Sequence, residues 1–238
     1  MSLDFKLLDL GRTNYERVYS QQIDLFRQRM TGTIGDCLIL TEHDPVITLG
    51  TNEKWNKVHV TPEKVGQYGI GYVQSDRGGG TAYLGPGQLV GYTIMNIGVY
   101  GGVLHFMKML EETMIRTSND FGIKVERRDT HNPTTDKPYR ATWYMGDGNP
   151  KVLCTKGIKV AMSGSGMYTH HGFALNVNRP NENYFHFVDQ CGFPSSDVEP
   201  VYMSDILGKE LNWEEVKDSV VRNFTNVFNK LQEATACK

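Results

Sequence analysis

Arg77-Gly78-Gly79-Gly80-Thr81-Ala82-Tyr83-Leu84-Gly85-Pro86-Gly87-Gln88 puts five glycines and one proline into twelve positions, which denies the stretch a regular helix or a central strand. It reads as a shaped loop. The apolar run Leu89-Val90-Gly91-Tyr92-Thr93-Ile94-Met95 follows directly and Gly71-Tyr72-Val73-Gln74 precedes it, so strands grip the loop at both ends. Glycine lets backbone N–H groups approach a ligand closely, so an arginine beside such a loop suits a cradle for a carbonyl, carboxylate or phosphate. An ordinary tight turn between strands fits the composition equally well. Neither a Gly-Lys-Ser/Thr phosphate loop nor the dinucleotide GxGxxG spacing is present.

At 238 residues the chain is long enough for one sizeable α/β domain, and residues 1–238 read as a single domain. A net charge of −2 with interspersed signs argues against nucleic acid as the main ligand. Cys37, Cys154, Cys191 and Cys237 form no CxxC pair or zinc-finger spacing, so reduced thiols are expected. With no apolar run of membrane-spanning length and no secretion signal between Met1 and Arg12, the expectation is a cytoplasmic protein without a membrane role.

Leu7 to Leu10 reads as a first strand, followed by a helix from Asn14 to Met30 capped by Thr13. Cys37-Leu38-Ile39-Leu40 and Val46-Ile47-Thr48-Leu49 read as short buried strands around the turn Glu42-His43-Asp44-Pro45, with His43 a surface histidine. Thr51 to Tyr68 is polar and reads as irregular or briefly helical. Val103, Met107, Leu110 and Met114 form a helical core stripe that ends near Gly122. Ile123 to Arg127 alternates like a strand, and Arg128 to Pro138 reads as surface loop. Ala141–Met145, Lys151–Cys154 and Ile158–Met162 then read as three separate strands of an antiparallel meander, the first two joined by a turn at 146–149. Asn212 with Glu215 signals a last helix whose face is Val216, Val220, Phe224, Val227 and Leu231, with a frayed tail from Ala234 to Lys238.

Three stretches carry candidate chemistry. Lys159 stands amid Ile158, Val160, Ala161 and Met162; alternation can point it outward, whereas burial near a cleft would lower its pKa and suit it to proton transfer. Cys191, within Gln190-Cys191-Gly192-Phe193-Pro194, sits where a turn can present a thiol, although lone cysteines are commonly inert core residues. A thiol paired with a lysine means acyl transfer. His170-His171-Gly172-Phe173-Ala174 sets paired imidazoles beside small residues, but no acidic or cysteine ligand stands at matching spacing, so no metal is expected.

At these residues the chain resembles the octanoyltransferases of lipoate biosynthesis, the lipoate-protein ligase B family. The matching segments are Glu42–Gly50, Arg77–Tyr92, Gly157–Ala161, Thr169 or His170 through Asn178, and Cys191-Gly192, in order along most of the chain. The resemblance implies an α/β fold with a mixed, largely antiparallel sheet packed by helices, similar to the catalytic domains of lipoate and biotin protein ligases. It also implies a reaction: an octanoyl group leaves the thioester of acyl carrier protein, rests on a cysteine, and passes to a lysine of a lipoyl domain of 2-oxoacid dehydrogenases or of glycine cleavage H protein. By the same resemblance Cys191 is the nucleophile and Lys159 its activating lysine. Substrate contacts then fall on Arg77, Gly78, Gly79, Gly80, Thr81, Ala82, Tyr83 and Leu84, on Met162, Ser163 and Gly164, and on His171, Gly172, Phe173 and Ala174. No ATP, metal or other cofactor is implied.

Two departures accompany the match. The family usually has Thr-Tyr-His-Gly-Pro-Gly where this chain has Ala82-Tyr83-Leu84-Gly85-Pro86-Gly87; Leu84 then enlarges the apolar wall, and His171 or His170 retains any needed imidazole. Ser165-Gly166-Met167-Tyr168 is also shorter than the family's stretch, which affects the alignment of Met162 to Gly164. Arg127, Arg128, Arg140, Lys151 and Lys156 are candidates for a basic surface toward acidic partner domains. Competing readings are an ATP-dependent lipoate or biotin ligase, which needs the lysine but no cysteine, and a non-catalytic lipoyl-domain or acyl-carrier binding protein.

Overall fold

The computed structural model describes residues 5–128, 130–131, 138–139, 141–146, 148, 150–182, 184–190, 193–194 and 199–236. Its strands longer than two residues are β1 (Lys6–Thr13), β2 (Cys37–His43), β3 (Val46–Leu49), β4 (Gly71–Gln74), β5 (Ala82–Leu84), β6 (Gln88–Asn96), β7 (Val125–Arg127), β8 (Ala141–Tyr144), β9 (Lys151–Ser163) and β10 (Gly166–Asn176). The helices are α1 (Tyr15–Met30), α2 (Pro62–Gln67), α3 (Val103–Asp120), α4 (Met203–Leu207) and α5 (Trp213–Ala236).

The main sheet runs β1-β2-β6-β10-β9-β8-β7. Only β1–β2 is parallel along that path, and the short strand Glu199–Pro200 adds a parallel pair beside β9. The sheet is therefore mixed and largely antiparallel. A smaller sheet, β4-β3-β5, stands over part of it.

The pleat sorts side chains between two cores. Leu38 and Leu40 of β2, Leu89 and Met95 of β6, and Leu175 of β10 pack with Phe106, Leu110 and Met114 of α3 and with Val216, Val220 and Phe224 of α5. The residues between them, Ile39 of β2, Val90, Tyr92 and Ile94 of β6 and Ala174 of β10, face Tyr15, Val18 and Phe26 of α1, together with Val46 of β3 and Leu84 of β5. Both faces are covered, so the central strands read as nearly continuous apolar runs.

Several sequence expectations need correction. Asn14, not Thr13, caps α1: its Oδ1 accepts from the N–H groups of Glu16 at 2.9 Å and Arg17 at 3.3 Å, while Thr13 closes β1. The α3 stripe is Phe106, Leu110 and Met114, with Val103 exposed. Residues 151–162 are not two strands, because β9 runs unbroken through Thr155-Lys156-Gly157 to Ser163. Thr155 and Lys156 pair in register with Ala174 and Phe173, and Gly157 is kept in the ladder by Gly172 opposite. The Asn212 cap of α5 stands as read, accepting from Glu214 and Glu215. That helix continues to Ala236, past the residue where fraying was expected.

His43 is the clearest reversal: read as a surface histidine, it is fully buried. Its Nδ1 meets the Thr13 carbonyl at 3.1 Å and its Nε2 meets the Tyr92 hydroxyl at 2.7 Å. A carbonyl only accepts, so Nδ1 carries the proton and Tyr92 donates to Nε2. Burial drives the His43 pKa down to about 4.

Candidate active site

Register across the main sheet sets Tyr92, Gly172 and Gly157 side by side, with Val90, Ala174 and Thr155 as the next rank. Two glycines and an alanine leave the α1-facing surface hollow at this point. Ala82 and Leu84 of β5, Tyr15 of α1 and Arg77 complete a mostly apolar slot of about 460 Å³, counting its open mouth. Close backbone approach requires glycine at 172 and leaves little room beside Gly157. A Cβ on Gly172 would lie 2.1 Å from the Gly91 oxygen, and one on Gly157 would lie 3.2 Å from the Gly78 oxygen.

The glycine loop is fastened over this slot rather than free. Gly78 N–H donates to the Ile158 carbonyl at 3.0 Å, and the Arg77 carbonyl accepts from Thr51 at 3.0 Å. Arg77 itself is buried; its Nη2 donates to the Thr48 carbonyl at 3.0 Å and to Thr48 Oγ1 at 2.9 Å. The guanidinium thus ties the loop to β3 while one flank lines the slot. Alternation along β5 turns Ala82 and Leu84 inward to the slot, whereas Tyr83 packs with Ile47 and Phe185 in a separate cluster. Thr81 also faces elsewhere, its hydroxyl accepting from Lys57 N–H at 2.9 Å.

Several amides of the loop read as a cradle for a carbonyl, carboxylate or phosphate are already engaged. Arg77 N–H donates to Ser75 Oγ, Thr81 N–H to the Trp55 carbonyl, and Tyr83 N–H to Gln190 Oε1. The last of these carries positional information, since Gln190 precedes Cys191 in sequence. Gln190 is buried and shares a small neighbouring cavity with Thr155, which also lines the slot. Cys191 and Gly192 lie outside the described residues. Of the other thiols, Cys37 and Cys154 are buried. Burial pushes Cys154 up to about 12 and raises Cys37 as well, so both stay protonated near neutrality.

Lys159 occupies the rank beyond Gly157, opposite His170, and is half-buried. Next to it His171 adopts φ 63°, the only positive φ of a non-glycine residue among those described. That left-handed residue breaks the in-out alternation expected of consecutive strand positions. Both imidazoles consequently reach one carboxylate: His171 Nε2 lies 2.8 Å from Asp76 Oδ1 and His170 Nε2 lies 3.3 Å from Asp76 Oδ2. The rings stack with centroids 4.4 Å apart, and Tyr19 donates to Asp76 Oδ1 at 2.8 Å. Burial, then repulsion from His171, lowers His170 to about 4 despite the carboxylate, and Lys159 adds to the effect. Burial also lowers His171, whereas the hydrogen bond from His171 and the charge of His170 outweigh burial to hold Asp76 far below the ordinary carboxylate range.

Of the sequence-derived substrate contacts, the slot brings together Arg77, Ala82, Leu84, His171, Gly172, Phe173 and Ala174. Met162, Ser163 and Gly164 instead lie at the β9–β10 hairpin tip, outside the slot lining, with Met162 prominently exposed. Of the expected basic surface, Lys156 has a side chain 0 % exposed and pairs with Glu111 at 2.6 Å, Arg127 pairs with Glu111 and Glu112, and Lys151 pairs with Glu199. Arg140 lies outside the described residues. Sequence reasoning missed Tyr15, Tyr92 and Asp76. For Asp76 the available signal was its position next to Arg77 in the loop.

An apolar slot beneath a fastened glycine loop, with a lysine one rank away on the same sheet, is the candidate active site of this α/β domain. The chain belongs to the lipoyl protein ligase A/B catalytic domain family, whose model matches residues 14–225. It is 34% identical over 229 residues to the octanoyltransferase of Koribacter versatilis, covering 94% of this chain and 84% of that protein. It is 36% identical over 221 residues to the octanoyltransferase of Chloroflexus aggregans, covering 92% and 93%. In fold it is similar to lipoate-protein ligase A bound with ATP, at TM-score 0.67 and 15% identity over 95% of this chain and 86% of that one. The motif-based resemblance and the mixed, largely antiparallel sheet both stand, and the chain is an enzyme of the acyltransferase class.

Proposed function

We propose that this protein carries an octanoyl group from the thioester of acyl carrier protein to a lysine of a lipoyl domain, through a thioester on Cys191. The observation that carries the reading is the slot itself: glycine-floored, walled by Ala82, Leu84, Val90 and Ala174, and opening one rank from Lys159. Two of its polar groups, the tyrosine hydroxyls, are already satisfied, since Tyr92 donates to His43 and Tyr15 donates to Ser75. Such a lining favours a saturated chain over a polar one.

In the first half-reaction the Cys191 thiolate adds to the thioester carbonyl, and the carrier thiol departs with a proton supplied by the Lys159 ammonium. In the second, the amine of the lipoyl lysine adds to the Cys191 thioester, gives a proton to neutral Lys159, and expels the thiolate. The lysine returns to its starting state, so one group serves as acid and then base. Two observations support Cys191 as the thiol: Cys37 and Cys154 are buried and held protonated, and Gln190 is anchored on β5. Leu84, which stands where the family usually has histidine, adds apolar wall to the slot.

The test is transfer from octanoyl-acyl carrier protein to an isolated lipoyl domain, followed by intact-mass measurement of the domain with and without ATP. ATP-independent octanoylation supports the reading. Modification that requires ATP and free octanoate points to a ligase instead, and binding of either partner without modification points to a non-catalytic role.

A further inference from the structure

The paired histidines lack an acidic partner at matching spacing in sequence, and folding supplies one. Asp76 lies 95 positions from His171 in sequence, yet its carboxylate and the two imidazoles present ligand atoms within 4.8 Å of one another. We propose that Asp76, His170 and His171 form a binding site for a divalent transition-metal ion of the Zn²⁺ class at the rim of the slot.

Three observations carry this inference. First, the left-handed backbone at His171 brings both rings to one side, an arrangement with a conformational cost that an ordinary strand would avoid. Second, both rings are buried and turn Nε2 toward the same carboxylate, His171 at 2.8 Å and His170 at 3.3 Å from the Asp76 oxygens, so nitrogen and oxygen donors converge on one point. Third, the Asp76 side chain is 35% exposed, so an ion has a path in from solvent. Tyr19, already bonded to Asp76, would hold the carboxylate from behind.

The surroundings narrow the ion and its affinity. Arg77 and Lys159 lie within electrostatic reach of the imidazoles, which disfavours hard cations held by charge alone and leaves ions that prefer imidazole nitrogen. Both Nδ1 atoms are buried without a hydrogen-bond partner among the described residues. When Nε2 binds metal the ring proton must sit on Nδ1, where nothing described accepts it, so the site exchanges its ion rather than locking it in.

The test is calorimetric titration of the full chain with Zn²⁺ at neutral pH, paired with visible spectroscopy of the Co²⁺ form. One equivalent is expected to bind, with a cobalt spectrum that lacks thiolate charge-transfer bands because the ligands are nitrogen and oxygen. H170F, which keeps an aromatic ring against Phe26 and Tyr19, is expected to weaken binding by more than the roughly tenfold that loss of a supporting group costs. D76N is expected to do the same. No binding by the wild-type chain, thiolate bands in the cobalt form, or unchanged affinity in H170F overturns the proposal. Octanoyl transfer by H170F reports on the acyl site separately, so failure of one reading is not failure of the other.

Discussion

Lys156 and Lys159 stand three residues apart on β9 and face opposite sides of the same sheet. Lys156 points into the α3 side, where its Nζ meets Glu111 at 2.6 Å and its side chain has no exposure. Lys159 points to the α1 side, half-buried, opposite His170 and beyond the glycine floor of the slot. Burial lowers the pKa of Lys156, but Glu111 opposes that shift and occupies the amine. The comparison teaches that a buried lysine is available for chemistry only where the fold withholds a carboxylate partner. Pleat parity decides which side each lysine meets.

The sharpest way to break that contrast is to remove each amine in turn. Lys159→Met is expected to lower octanoyl transfer about 10²- to 10⁴-fold, the usual worth of a general acid–base group, while its thermal unfolding stays within about 0.5 kcal/mol of the parent. Lys156→Met is expected to do the reverse. It leaves Glu111 buried with only Arg127 beside it and should destabilise the fold by roughly 3 kcal/mol, with transfer per folded molecule retained. Steady-state transfer and chemical denaturation of both variants check the pair; a Lys159 variant that unfolds early but transfers normally would reverse the assignment.

Acid sharpens the same contrast between the two faces. His43 has its folded pKa lowered to about 4 from the ordinary 6.5, so below pH 6.5 the unfolded chain binds the proton that the folded chain refuses. Stability contributed by neutral His43 is therefore full above pH 6.5, declines as pH falls toward 4, and amounts to roughly 3 kcal/mol. His170 adds in the same direction. Denaturation midpoints measured from pH 7 to pH 4 should fall, and His43→Phe should flatten the curve. The smallest effect is expected at the slot wall. Leu84→Ala should change the preference between acyl chains differing by two carbons by about tenfold or less, read from competition between acyl-carrier substrates.

Much of the site was legible because it is local in sequence. The glycine loop, Lys159 within an apolar strand, and His171-Gly172-Phe173-Ala174 each announce themselves by residue type and spacing; folding brings parts of the loop and of the histidine stretch to one slot and sets Lys159 one rank away. What escaped depends on distant partners. His43 looked solvent-facing because its neighbours are Glu42 and Asp44, yet Tyr92 and Thr13 enclose it. Lys156 looked like a surface charge until α3 delivered Glu111. Thr155-Lys156-Gly157 resembled a break between strands, because the ladder to Gly172 that holds Gly157 extended appears only in three dimensions.

Intact-mass spectrometry of the purified protein after brief exposure to octanoyl-acyl carrier protein, without a lipoyl domain, reaches the central claim most directly. One octanoyl group is expected on the wild-type chain, released by hydroxylamine and mapped to the peptide containing Cys191, with no such adduct on C191S. An adduct that persists in C191S, or a wild-type chain that stays unmodified while still octanoylating lipoyl domains, would contradict the account.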